Sequence, residues 1–222
     1  MDRRKALKNM GLSLGYAVTT PTLISIVQSC NTEKGLKWTP DFFTKQEGAL
    51  LTHLIDIILP KTDTPSASEV KVDLFIDRFA DQVMRKEQQD FLKMSMGKFI
   101  EKVLADSGKE NAADLIPEEL EAVFSKALRI SKEQQKANDK ALEKYTGALE
   151  EGTAVRLDDD VSVNAFAKNL RGMTIWGYKT SEYVGKEVLA YLPVPGEYVP
   201  CGNTEELTEG KAWSLGDQAW SF

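Results

Sequence analysis

Histidine is nearly missing from this chain, with one among 222 residues, and cysteine occurs only twice. Zinc sites are built from these two residue types, and a Ser-His-Asp triad would have to use His53. Cys30 and Cys201 are far apart, so neither a paired-cysteine metal motif nor a covalent haem motif is present. The chain also has no GxGxxG after a strand and no GxxxxGK[ST], which removes the usual dinucleotide and nucleotide cradles. Long apolar runs are wanting too. The best, residues 12–27, is shorter than the about 20 apolar residues a bilayer-spanning helix needs, and Gly15, Thr19, Thr20 and Pro21 interrupt it. Positive charge is in deficit, with 28 Lys plus Arg against 34 Asp plus Glu. Nucleic-acid phosphates are repelled by such a surface, so nucleic acid is not an expected partner.

What is present begins with an address. Residues 1–11 carry Arg3, Arg4, Lys5 and Lys8, the weakly apolar stretch follows, and Ser29 precedes Cys30. These are the parts of an export signal peptide over residues 1–29. Arg3 and Arg4, with Leu7 and Lys8, resemble the twin-arginine motif, although Asp2 and Ala6 stand where Ser or Thr and Phe are usual, which leaves the general secretory route open. Val27-Gln28-Ser29-Cys30 resembles a bacterial lipobox, with Cys30 as the lipidated residue; an ordinary small core cysteine is the alternative. The expected location is that of an exported lipoprotein on the periplasmic side of a membrane. Removing the 29-residue leader from 222 leaves 193 residues, and loss of Asp2 and the four basic residues takes the net charge from −6 to −9. A chain so acidic cannot hold anionic headgroups by charge, so acyl chains, at about 0.8 kcal/mol per buried CH₂, would anchor it.

After a tether over residues 30–43, the sequence predicts a helical domain over 44–192. Thr44-Lys45-Gln46-Glu47 is a capping-box pattern, and Leu50, Leu51, Leu54, Ile55 and Ile58 recur behind it at helical spacing until Pro60. Residues 61–68 (KTDTPSAS) read as a loop. Val72, Phe75, Ile76, Phe79, Ala80 and Val83 form one apolar face of a second helix, and Phe91, Leu92, Met96, Phe99, Ile100, Val103 and Leu104 that of a third, closed by Gly108. Pro117 with Glu118 and Glu119 opens a fourth. Residues 131–149 predict a solvated helix on a thin stripe of Ala137, Ala141, Leu142 and Tyr145. Asp158, Asp159 and Asp160 precede a last helical stretch that continues from Val161 to Leu192. No run of useful length alternates with a period of two, so the expected class is all-α, a single multi-helix domain.

From Pro193 to Phe222 the character changes. Pro193, Pro195, Gly196, Pro200 and Gly202 predict an irregular tail, yet Tyr198, Trp213, Trp220 and Phe222 sit in it. Disordered segments are poor in aromatics because they bury nothing. The tail therefore either folds back on its own helices or lies on another protein, and these four residues are the candidate partner-binding anchors.

No catalytic constellation emerges. His53 lies inside the first helix without a marked nucleophile and reads as a surface or structural residue. Asp158 to Asp160 lack the spacing of a calcium loop and read as a helix cap. Asp56 and Asp63 could form a carboxylate pair, but Asp63 fits a turn residue better and Asp56 the polar edge of its helix.

Three segments together resemble one family, gluconate 2-dehydrogenase subunit 3. They are residues 54–77 (LIDIILPKTDTPSASEVKVDLFID), residues 177–182 (GYKTSE) and residues 191–198 (YLPVPGEY), in that order behind a twin-arginine-like leader. The resemblance implies a non-catalytic small subunit of an exported sugar or polyol dehydrogenase. Its large subunit would be a flavoprotein of the glucose-methanol-choline class holding FAD, often accompanied by a cytochrome subunit with haem c. The small subunit would hold no cofactor and would assist maturation, export or anchoring of the large one. Two other readings compete: a free-standing helical lipoprotein binding a small molecule or surface partner, and a hydrolase using His53.

Overall fold

A computed structural model describes Leu36 and residues 38–150, 155–190 and 201–213. Thr44 starts the first helix, α1 (Lys45–Ile58), with both halves of its capping box formed: the Glu47 amide donates to Thr44 Oγ1 at 3.2 Å and the Thr44 amide to Glu47 Oε2 at 2.7 Å. The loop behind Pro60 leads into α2 (Val72–Gln82), and α3 (Lys86–Ser107) follows after a three-residue break. Gly108 ends α3 at φ 69°, a left-handed position that suits a residue without Cβ. A 3₁₀ turn (Ala112–Asp114) precedes α4 (Pro117–Leu128), whose first turn holds Pro117 and the acids Glu118 and Glu119. Then come α5 (Lys132–Glu150) and α6 (Asp159–Thr180). The described residues contain helices and one isolated bridge, Ala190 to Trp213, so the fold is all-α.

The centre is α6, which packs on each of α1 to α5. Its Phe166 ring lies 5.1 Å from Phe99 of α3, and Phe99 meets Phe124 of α4 edge-on at 6.1 Å. Leu51, Leu54, Ile55, Ile76, Leu120, Leu170 and Met173 fill the space around them and are essentially inaccessible. The polar α5 lies outside this core. It is held by Asn138, whose Nδ2 donates to Asn164 Oδ1 at 3.0 Å, by a Lys168 to Asp139 ion pair at 3.0 Å, and by Tyr145 against Phe91. Its seam therefore runs through Asn138, while Ala137, assigned to the apolar stripe by its spacing, faces solvent.

Three other expectations need correction. On α2 the sequence places six apolar residues on one inward face. The structure buries Val72, Ile76 and Ala80, leaves Phe75 and Phe79 half-buried, and exposes Val83 to 62 %. One ridge of i, i+4 residues enters the core, while on the next ridge Phe75 packs at the core's margin and Val83 stands outside it. The second correction is at the end of α6, which stops at Thr180 instead of running to Leu192. The backbone turns extended at Ser181 (φ −65°, ψ 143°), whose amide and hydroxyl both bond back to the Tyr178 carbonyl, at 3.2 Å and 2.8 Å, and close the last turn. A single π turn (Val184–Val188) follows and buries Val184. The third is within the tail, where a short helix, α7 (Thr204–Thr208), is capped by Asn203.

Candidate functional site

Two of the three segments singled out in the sequence meet in space, at the junction of α1, α2 and the end of α6. The loop between α1 and α2 is held from both sides. Asp56, at the edge of α1, accepts from the Ser68 amide at 2.9 Å and from Ser68 Oγ at 2.6 Å. Glu69 Oε2 accepts from the Ser66 amide at 2.9 Å while its other oxygen pairs with Lys61. The Lys61 hydrogen bond, then that of the Ser66 amide, hold the Glu69 carboxyl below its ordinary pKa. From α6, 113 residues away in sequence, Tyr178 donates its hydroxyl to the Pro65 carbonyl at 2.8 Å. Thr62 and Asp63 form the exposed tip.

Gly177, beside Tyr178, sets how closely α2 and α6 approach. A Cβ there would lie 2.6 Å from Phe75 Cδ1 and 3.2 Å from Val72 Cγ1. Without one, Phe75 packs edge-on against Trp176 at 4.9 Å, and Phe79 does so at 5.2 Å. The result is a half-buried aromatic cluster spanning both helices.

On its other flank α2 grips the segment before α1. Asp77, fully buried, accepts from the backbone amides of Asp41 at 2.7 Å, Phe42 at 3.1 Å and Phe43 at 2.9 Å. Asp73 accepts from Trp38 Nε1 at 2.9 Å and lies 2.9 Å from Thr52 Oγ1. A carboxylate with this many donors is a substitute for water that the interior lacks. Lys93 of α3 completes the clasp: its ammonium stands 4.8 Å and 5.0 Å from the centres of the Phe42 and Phe43 rings and pairs with Glu47. Burial, the largest single influence, would raise the Glu47 carboxyl. The Lys93 and Thr44 hydrogen bonds and the Lys93 charge together outweigh it and hold the group below its ordinary value. Residues 38–43, at the end of the stretch expected as a tether, are thus bound to the helices.

The sequence-derived candidates fare unequally. Arg3, Arg4, Cys30, Tyr198, Trp220 and Phe222 lie outside the described residues. Trp213 is 46 % exposed and is tied to the helical unit through the Ala190 amide, which donates to the Ala212 carbonyl at 2.8 Å. His53 is exposed on α1. Asp158 caps α6, accepting from the Asp160 and Val161 amides, and all three acids of that run are exposed. Asp56 and Asp63 do not share a site, since Asp56 is bonded to Ser68 and Asp63 is at the loop tip. Missed by the sequence reading were Asp73, Asp77 and Tyr178. The signal for the first two was legible: two acids at i, i+4 directly beside the apolar ridge of 72, 76 and 80, a placement that demands partners.

Among the described residues no group of three His, Cys, Asp or Glu side chains could hold a metal ion. No buried side-chain nitrogen or oxygen there lacks a hydrogen-bond partner. Asp56, Glu69, Asp77 and Tyr178 are engaged in fixing backbone and Asp73 in holding Trp38, while Thr62 and Asp63 at the loop tip are exposed.

A family model described as gluconate 2-dehydrogenase subunit 3 matches residues 45–196, which is more than half the chain and takes in α1 to α6. No curated protein and no solved structure matches.

Proposed function

The chain belongs to the gluconate 2-dehydrogenase subunit 3 family, and from that premise we propose that it is the non-catalytic small subunit of an exported dehydrogenase complex. The large subunit in this reading is a flavoprotein of the glucose-methanol-choline class, which binds FAD and oxidises an alcohol carbon of a sugar or polyol; a cytochrome subunit with haem c takes the electrons. The hard redox chemistry belongs to those cofactors. This chain assists the flavoprotein's maturation, export or anchoring. The observation that carries the reading is the extent of the family match, from the first residue of α1 to beyond the last described residue of the helical unit. The use of Asp56, Asp77 and Tyr178 to hold backbone, and of Asp73 to hold the Trp38 indole, supports it, because these groups are committed to shape.

Three further elements complete the proposal. Arg3 and Arg4 direct export, Cys30 carries the lipid on the periplasmic side, and Trp213, with Tyr198, Trp220 and Phe222, contributes anchors for the partner.

Deleting this chain from cells that express the flavoprotein is the test. The flavoprotein should then lose FAD content and membrane-associated activity, and it should regain both when the chain is restored. A fully flavinylated, active, membrane-bound flavoprotein made without this chain overturns the proposal. Two variants separate the address signals: Arg3→Lys with Arg4→Lys should block export, whereas Cys30→Ala should leave an exported chain that fatty-acid labelling no longer marks.

A further inference from the structure

Where the end of α4 and the starts of α5 and α6 meet, they leave a cavity of about 410 Å³, within the size range of small-molecule sites. Val123 of α4 and Val163 of α6, both buried, give it an apolar wall, with half-buried Ile130 and Val161 beside them. Asn138 of α5, only 8 % exposed, lines it as well. A relay fixes the direction of that amide: Asn164 Nδ2 donates to the Ala127 carbonyl at 2.8 Å, so Asn164 offers Oδ1 to Asn138 Nδ2 at 3.0 Å. Asn138 Oδ1 is left with no partner among the described residues. No buried side-chain oxygen there lacks a partner, so this atom is open, and the cavity is what it opens into. An acceptor on so buried a side chain calls for a donor.

Charges of both signs line the same space. Lys126 in the last turn of α4 and Arg129 just beyond it share the cavity with Asp160 in the first turn of α6. None of the three has an ion-pair partner among the described residues, whereas Asp159, the next acid along, pairs with both Lys98 and Arg156. Opposite charges that line one cavity without closing on each other are spaced for a ligand that carries both signs. A ligand with one charge would satisfy one side and leave the other to water.

We propose that this cavity binds a small zwitterion, an α-amino acid with an aliphatic side chain. Its carboxylate meets Lys126 and Arg129, its ammonium donates to Asn138 Oδ1 and faces Asp160, and its side chain lies against Val123 and Val163. The inference goes beyond the function proposed above and does not rest on it. It has a mechanical consequence, because α5 is otherwise held by the Asn138 bond, the Lys168 to Asp139 pair and the Tyr145 contact. A ligand touching α4, α5 and α6 together ties α5 down.

Calorimetric titration of the purified full chain with L-alanine, L-valine and L-leucine in turn is the test. 4-Methylpentanoate and 3-methylbutylamine, which carry the leucine side chain with one charge each, are the comparison. At least one of the amino acids should bind one-to-one and saturate below about 10 mM, and it should raise the thermal midpoint and slow amide exchange along α5. Both single-charge analogues should bind about tenfold or more weakly. The same loss is expected for the amino acid with Lys126→Gln plus Arg129→Gln and with Asp160→Asn. These three side chains are exposed, so thermal unfolding of the unliganded variants should match wild type. No saturable binding of any of the three amino acids overturns the proposal. Equal binding by either single-charge analogue overturns the zwitterion, and full-strength binding by both variants overturns the site.

Discussion

Replacing Asp77 with alanine should loosen the segment before α1 more than any other single change to a polar side chain. The carboxylate accepts three backbone N–H bonds, from Asp41, Phe42 and Phe43. Of these only the Phe43 amide is fully buried, so its loss of a partner costs about 1–3 kcal/mol. The other two are partly buried and water can replace the carboxylate, for about 0.5–1.5 kcal/mol each. Relief of the buried charge's own desolvation offsets part of the sum, which leaves an expected destabilisation of about 2–4 kcal/mol. Asp77→Asn should fall between, near 1–2 kcal/mol, because the amide keeps one acceptor and turns donors toward donors.

Urea unfolding of the purified chain gives the global number, and hydrogen exchange of the three amides gives the local one. In wild type these amides should exchange slowly, and in Asp77→Ala they should exchange at close to the rate of an open loop. Asp81→Ala, on the exposed side of the same helix, is the control and should change stability by less than about 0.5 kcal/mol. An Asp77→Ala protein within that same margin of wild type, with its three amides still protected, would show that the carboxylate does not hold the segment.

Other outcomes follow from the same contacts. Gly177→Ala puts a Cβ 2.6 Å from Phe75 Cδ1; the ring must move against Trp176, and thermal unfolding should report a loss of about 1–3 kcal/mol. Tyr178→Phe removes the bond to the Pro65 carbonyl, at about 1 kcal/mol, and should speed exchange in residues 62–68 without altering the far-UV helical signal. Glu47 has its folded carboxyl lowered from 4.5, so its contribution to stability is full above that value and disappears as pH falls through the lower folded value. Urea midpoints measured from pH 6 downward should therefore show a steeper acid loss in wild type than in Glu47→Gln.

How legible these features were in the sequence depended on how local their physics is. The capping box at Thr44 and Glu47, the stop at Gly108, the start at Pro117 and the cap at Asp158 are decided by a few neighbouring residues, and each stands where the pattern puts it. The faces of α2 were not legible. Spacing at i, i+3 and i+4 marks a broad apolar surface, but which ridge enters the core depends on the donors that Asp73 and Asp77 find in the segment before α1, 34 to 36 residues upstream. The end of α6 failed for a local reason, because the backbone turns extended at Ser181 and the Ser181 amide and hydroxyl close the last turn on the Tyr178 carbonyl. The loop at 61–68 was legible as a loop, but its clamp by Tyr178 joins residues 113 apart and had no signal in either segment alone.

The orientation of α2 shows why polar groups, and not apolar area, settle such a choice. Its inward ridge is Val72, Ile76 and Ala80, while the outward ridge carries Phe75, Phe79 and Val83 and is the more apolar of the two. Full burial of a large apolar side chain is worth about 1.5–3 kcal/mol, so area alone would turn the phenylalanines inward. Asp73 and Asp77 oppose that turn. In the observed orientation they accept four N–H bonds, from Trp38 Nε1 and the amides of Asp41, Phe42 and Phe43, of which the three on Asp77 are together worth about 2–4 kcal/mol net of desolvation. Rotating α2 to bury Phe75 and Phe79 would carry both carboxylates away from these donors and orphan the segment before α1. Four charge-assisted bonds outweigh the unrealised burial of two half-buried rings. The aspartates therefore fix which ridge enters the core, although it is the less apolar of the two.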